Sequence, residues 1–414
     1  MNTAKKPWQW VPTLYFVEGL PYVLVMTVSV IMFQRLGISN TENALYTSLL
    51  YLPWVIKPFW SPLVDSFRTK RFWMRAMQLL ISLALLGIAL AVNSAHALQY
   101  SLIFLWLMAF ASASQDIAID GFYMLALDKS QQAYFVGIRS TAYRLAMLFG
   151  QGPIIIFAGY LEKQSSSIAQ AWSMVFYAIA ALFILLFFYH WFAIPKAAAD
   201  APRASSSLKE IWQTMGESLR TFFAKPGIGV SLLFLLVFRL GEAQLVKIAS
   251  PFLLDLPAHG GLGLDTADVG FVYGTAGVLA LVVGGILGGV LVSRHGLKRW
   301  LWPMVVAMNV PNLVYVLLSF LQLDNLPLIT SCVVLEQFGY GFGFTAYMLY
   351  MIQIAEGEFK TAHYALCTGF MALGMMLPGM VSGWMQSLLG YQGFFVWVMI
   401  CTIPSFLLVP RLKV

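Results

Sequence analysis

The fold the sequence predicts is an all-α integral membrane protein with twelve transmembrane helices in two six-helix halves. Three observations predict it. Of 414 residues, 60% are hydrophobic and only 10% are charged, whereas a soluble domain carries about 25% charge; mean hydropathy is +0.77. Apolar runs of about 20 residues, the length that crosses a bilayer, recur along the whole chain. Finally, Lys and Arg gather in alternate connections between those runs, as they do when every second loop is cytoplasmic.

The first span, 10–34, follows MNTAKKPWQW without a small-residue cleavage signature, so it reads as a retained helix and not a cleaved signal peptide. It carries Glu18 in YFVEGLPYV, where Gly19 and Pro21 weaken the helix. Span two, 43–64, is irregular: Pro53, Pro58 and Pro62 punctuate it around Lys57, with Trp54 and Trp60 nearby. Arg75 stands just inside span three, 73–92. Span four, 98–126, holds Asp116 and Asp120, and span five, 133–160, holds Arg139 and Arg144. Span six, 168–193, closes the first half.

A connection at 194–226 follows, rich in Ala, Ser and Lys, and it ends in a stretch, LKEIWQTMGESLRTFF, that reads as an amphipathic surface helix. Span seven, 227–253, carries Arg239, Glu242, Gln244 and Lys247. Spans eight, 267–293, and nine, 300–321, flank the basic RHGLKRW. Span ten, 326–355, contains Glu336, and spans eleven, 361–387, and twelve, 391–409, complete the chain. The organisation expected is therefore a half at 1–193, a cytoplasmic linker at 194–226 and a second half at 227–414. Internal similarity supports it, since SPLVDSFRTKRFW after span two aligns its basic cluster with GGVLVSRHGLKRW after span eight.

Charge sets the orientation. One side collects both termini and the loops near 65–72, 127–132, 194–226, 294–299 and 356–360, with nearly all the loop cations. The other has only Arg35 and Lys163. Both termini are thus expected in the cytoplasm. The net charge of +7 sits in short loops and does not point to nucleic acid. Cys332, Cys367 and Cys401 all lie in apolar segments and match no metal site. Five scattered His residues and no clustered third ligand beside Asp116 and Asp120 leave no enzymatic constellation, so no enzyme and no cofactor are expected.

Lys57, Arg139, Arg144, Arg239 and Lys247, with Glu18, Asp116, Asp120, Glu242 and Glu336, all sit inside apolar spans. An ionised side chain at the bilayer centre costs about 2.5–3.5 kcal/mol even on insertion scales. These ten groups need a watered, protein-lined cavity and one another. Paired halves around such a cavity describe an alternating-access transporter of a small molecule.

Asp116 and Asp120 are one turn apart on one helix face, and two carboxylates that close repel unless a cation or proton intervenes. They read either as transport residues or as a structural network with span five. Asp120 is favoured for the proton because Gly121 permits close approach beside it. Glu18 at its bend is a second coupling site or a cross-bundle partner, and Glu336, the main acid of span ten, is a further candidate protonation site. Arg139 and Arg144, five apart, cannot both point directly at one partner, so one is expected to face the cavity and the other to brace a helix; with Lys57 and Lys247 they are the candidates for recognising an anionic cargo. Lys57 reads as an anion site or an ion-pair partner. Arg239 and Glu242, three apart, are expected to pair along one face, leaving Lys247, with Gln244 near it, for substrate contact or snorkelling. Tyr340, Tyr347 and Trp54 offer stacking surfaces. Asp65, followed by Arg68, Lys70 and Arg71, reads as a cytoplasmic conformational latch.

EGLP in span one, IKPFWSPLVD with RTKR after it, FASASQDIAIDGF and IRSTAYRLAMLFG, spread in order over residues 14–160, resemble the major facilitator superfamily, and within it the AmpG-type muropeptide permeases. That resemblance implies the superfamily fold, a bacterial inner-membrane location and proton-gradient-driven import of an anhydromuropeptide, with coupling or binding roles on Asp116, Asp120 and the span-one bend. Typical enterobacterial AmpG proteins have two extra helices and no Glu before GLP. The compact twelve-span plan also resembles the RhtX/FptX-type siderophore permeases, which makes a siderophore or its iron complex the alternative cargo. A monomer in the lipid bilayer is the expected working form.

Overall fold

A computed structural model describes residues 7–197, 200, 208–357 and 359–412. Helices form throughout, and there is no strand among the described residues. In chain order they are α1 Val11–Val23, α2 Ser29–Arg35, α3 Asn40–Leu49, α4 Leu52–Ser66, α5 Lys70–Ala91, α6 Ala97–Ala126, α7 Lys129–Gln151, α8 Pro153–Gln164 and α9 Ile168–Ala193. There follow α10 Leu208–Phe223, α11 Ile228–Val237, α12 Leu240–Leu254, α13 Thr266–Val269, α14 Val278–His295, α15 Leu297–Asn309, α16 Leu313–Leu321, α17 Leu326–Ala355 and α18 Lys360–Leu408.

Among the described residues, nine helical stretches are long and apolar enough to cross a membrane. The last, Ala362–Arg411, is interrupted at Gly390, whose φ of 65° only glycine adopts without strain. It supplies two passages. With α3–α4 and α17 added, the passages among the described residues number twelve. Large apolar side chains such as Leu90, Leu185, Phe192 and Leu388 lie exposed, as lipid-facing residues must.

Several passages are broken, and the breaks have causes. Pro21 inside α1 removes one backbone donor, and the helix then widens into a π-turn over Leu24–Val28. Span two separates into α3 and α4 just before Pro53, while Pro58 and Pro62 are carried inside α4. Pro153 divides α7 from α8, and Pro311 divides α15 from α16. A second π-segment, Gly270–Gly277, precedes α14.

The chain clusters into two compact units. The first comprises Met1–Ser29, Ile56–Gly150 and Phe157–Ile211. There α5 packs against α6 and α9, and α1 crosses α6. Gly19 and Gly150 bring α1 onto α7: a Cβ at Gly150 would lie 2.2 Å from Val23 Cγ1. Trp10, Phe122, Tyr123 and Met74 fill the core beside them.

The second unit comprises Val30–Val55, Gln151–Ile156 and Trp212–Val414. In it α17 packs on α14 and α15, while α18 packs on α3, α11 and α12. The amphipathic stretch of the linker forms α10. Its last turn docks within this unit, with Phe222 buried and Thr221 Oγ1 3.1 Å from His363 Nε2.

Candidate functional site

Within the first unit, α1, α4, α6 and α7 bring Glu18, Lys57, Asp116, Asp120 and Arg139 together. The four-residue spacing puts both Asp side chains on one face of α6, and each takes its own cation. Lys57 Nζ donates to Asp116 Oδ2 in a direct ion pair. Asp120 Oδ1 accepts from Arg139 Nη1 at 3.0 Å and from the Tyr15 hydroxyl at 2.9 Å. Arg139 Nη1 also donates to that hydroxyl at 2.9 Å, and its guanidinium lies 4.9 Å from the Tyr123 ring centroid. Tyr15 therefore ties the pair to α1, a role the sequence does not signal. The space beside Asp120 that Gly121 leaves is taken by the Lys70 stem, whose Cε would lie 2.8 Å from a Cβ there.

Glu18 is buried at 9% exposure, and its Oε2 has no hydrogen-bond partner. Asp116, Asp120 and Lys57 are its electrostatic neighbours. The cluster thus sets three carboxyl groups against two cations, with the excess acid at the helix bend. Arg144 is exposed, free of ion pairs and hydrogen bonds among the described residues, and shares an exposed face of α7 with Gly137, Ser140 and Thr141. A cation facing lipid is costly, so that polar stripe belongs to a hydrated surface.

In the second unit Arg239 and Glu242, expected to pair, are electrostatic neighbours but form no direct ion pair among the described residues. Arg239 is not in a helix: it is the N-cap of α12, with φ −104° and ψ 19°, so the three-residue helical spacing is lost. Its Nη2 donates to the Tyr340 hydroxyl, and its guanidinium sits 5.1 Å from the Phe344 ring centroid. Glu242 Oε2 has no hydrogen-bond partner.

Lys247 is 1% exposed. It donates to Thr47 Oγ1 at 3.1 Å and lies 5.4 Å from the Tyr51 ring centroid, with no carboxylate paired to it among the described residues. Snorkelling is thereby ruled out. Gln244 does not stand open beside it: the amide accepts from Trp397 Nε1 at 2.9 Å and donates to the Leu240 carbonyl at 3.0 Å. Tyr347 is core, not a stacking surface. Its hydroxyl donates to the Leu235 carbonyl at 2.6 Å, and its ring stacks on Phe238 at 4.8 Å. Tyr340 and Trp54 are half-buried. Glu336 is buried, with Oε2 accepting from Gln337 Nε2 at 2.9 Å.

The side chain of Asp65 lies outside the described residues. The N-terminus of α5 is instead capped by Asp200 of the linker, which accepts from the Lys70 amide at 2.7 Å and the Arg71 amide at 3.0 Å, where the helix dipole favours an anion. Lys70 is buried and reaches the Val64 carbonyl, whereas Arg68 is exposed, with its guanidinium 5.7 Å from the Phe67 ring centroid. Asp200 carries no motif, and only its position in space beside α5 makes it relevant.

Residues 13–362 match the Major Facilitator Superfamily. The chain is 27% identical over 410 residues to the anhydromuropeptide permease of Escherichia coli, covering 95% of this chain and 77% of that protein. It is 24% identical over 403 residues to a transporter named AmpG 4 of Rickettsia conorii, covering 95% and 93%. Among solved structures, a mutant of the nucleoside transporter NupG superposes with a TM-score of 0.74 at 15% identity, covering 98% of this chain and 99% of that one.

Proposed function

Because this chain belongs to the major facilitator superfamily and is a membrane transporter, not an enzyme, we propose that it imports a muropeptide-like cell-wall fragment by alternating access, coupled to protons. The observation that carries the cargo is the similarity to the anhydromuropeptide permease across 95% of the chain. The orientation proposed has both termini in the cytoplasm of a bacterial inner membrane, on the strength of the loop cations.

Coupling is assigned to the acid cluster of the first unit. Asp116 and Asp120 each have a cation, and Glu18 is the carboxyl group left over. Burying an unpaired carboxylate is far costlier than burying a neutral acid, so a proton belongs between Glu18 and its neighbour Asp116. This moves the first assignment from Asp120 to Glu18. Releasing the proton leaves an excess negative charge that Lys57 must rearrange to meet, which links protonation to the positions of α1, α4 and α6.

Anion recognition is assigned to Arg144, since Lys57 and Arg139 already hold carboxylates. The carboxylates of a muropeptide suit a guanidinium on a face that also offers Ser140 and Thr141. Direct binding and uptake with purified protein, comparing anhydromuropeptides with apo- and ferric siderophores, test the cargo. Saturable muropeptide uptake is expected. Uptake of a siderophore with no muropeptide binding overturns the assignment.

A further inference from the structure

We infer that Asp255, with Gln34, Asn40, Gln386 and Tyr391, forms a lock that holds the extracytoplasmic end of the transporter shut, and that cargo enters only when this lock parts. The inference rests on the orientation proposed above and not on the identity of the cargo.

Three connections meet here, those after spans one, seven and eleven. Loop charge places all three at the end opposite the loop cations, and within the second unit their side chains are joined. Gln34, in the last turn of α2, donates from Nε2 to Asp255 Oδ1 at 2.6 Å. Asp255 is the C-cap residue of α12, and its Oδ2 accepts from the Tyr391 hydroxyl. Asn40, the first residue of α3, donates from Nδ2 to that hydroxyl at 3.0 Å and to Gln386 Oε1 at 3.0 Å. Gln386 precedes the Gly390 kink of α18, and Tyr391 follows it directly. The Asp255 carboxylate is the network's only charged member. It takes one donor from each sequence half, Gln34 from the first and Tyr391 from the second.

The surrounding backbone holds these groups in place. Past Asp255 the chain folds back on the end of α12: the Leu262 amide donates to the Phe252 carbonyl at 2.9 Å, the Leu264 amide to the Leu253 carbonyl at 2.8 Å, and the Gly263 amide to the Asp255 carbonyl at 2.7 Å. Behind the network, α3 lies directly on α18. A Cβ at Gly383 would fall 2.0 Å from the Asn40 carbonyl oxygen, and one at Gly379 would fall 2.5 Å from Ser48 Oγ. No side chain fits between the two helices there.

The same network is built to open. Gln34 Oε1 and Asn40 Oδ1 are buried with no hydrogen-bond partner. Closure therefore gains hydrogen bonds, two of them to a carboxylate, but leaves two amide oxygens dry. Opening loses the bonds and lets water reach every group. The two effects oppose each other, which keeps the shut and open arrangements close enough in free energy for a reversible gate.

Thiol labelling of the protein in the absence of cargo reads the lock directly. In a cysteine-free background, Ser48→Cys puts a thiol at a buried position on α3 behind Asn40. With an impermeant maleimide outside right-side-out vesicles, Asp255→Ala should raise the labelling rate about tenfold or more, the population shift expected from losing hydrogen bonds to a charged group. Tyr391→Phe, which removes one of those donors, should raise it less, and it serves if Asp255→Ala fails to fold. A rate unchanged in both variants, or raised only for reagent admitted to the inside, overturns the proposal. Single cysteines at Lys196 and His259 report the orientation separately, and failure of muropeptide uptake would leave the labelling result untouched.

Discussion

The Lys57–Asp116 ion pair makes a sharp energetic prediction. Removing one partner of a fully buried pair costs about 3–5 kcal/mol, and this pair, 27% and 20% exposed, should cost less; replacing both with apolar groups is often neutral. Asp116→Leu should therefore lower thermal stability in detergent, and Lys57→Met together with Asp116→Leu should restore most of it. Equal stability of the single and double variants would show that the loss does not come from leaving one charge unpaired. Arg144 behaves oppositely. It is exposed and unpaired among the described residues, so Arg144→Gln should leave the melting temperature unchanged and weaken binding of an anionic cargo about tenfold or more, the worth of a charge-assisted hydrogen bond. Isothermal titration would check it. The sequence made Asp116, Asp120, Lys57 and Arg139 legible because a charge in an apolar run is conspicuous. It concealed Tyr15, Thr47 and Tyr51, since hydroxyls in apolar spans are commonplace. It misread Arg239 because nothing marks the helix break at Phe238–Arg239: no proline stands there to announce it.

Helix packing depends on glycine where backbones nearly touch. A Cβ on Gly341 would fall 2.0 Å from the Leu281 carbonyl oxygen, at the contact of α17 with α14. Gly289, on the same α14, has nothing within 4 Å of the position its Cβ would take. Gly341→Ala should thus destabilise by about 1–3 kcal/mol through overpacking, and Gly289→Ala should be neutral or slightly stabilising. Thermal melts of the two proteins decide it; similar losses would contradict the packing given for α14 and α17. At this scale the sequence signalled the breaks at Pro21, at Pro53 and between spans eleven and twelve, whereas the divisions at Pro153 and Pro311 fell inside spans read as continuous. The π-segments Leu24–Val28 and Gly270–Gly277 left no comparable trace, because one extra residue in a turn changes no residue type and no hydrophobic period.

For the whole molecule, twelve passages and loop-charge alternation put residue 196 and residue 259 on opposite sides of the membrane. Single cysteines introduced at Lys196 and His259 in a cysteine-free background should react with an impermeant thiol reagent from opposite faces, and labelling from the same face would contradict the orientation. The central claim is that protons entering with a muropeptide drive its accumulation. Proteoliposomes with a pH indicator outside measure this directly, when an anhydromuropeptide is added in the absence of any imposed gradient. The account predicts alkalinisation of the outer medium that scales with uptake and is lost in Glu18→Gln, while binding persists. Uptake that proceeds with no pH change, and that is unaffected by collapsing the proton gradient, would contradict it.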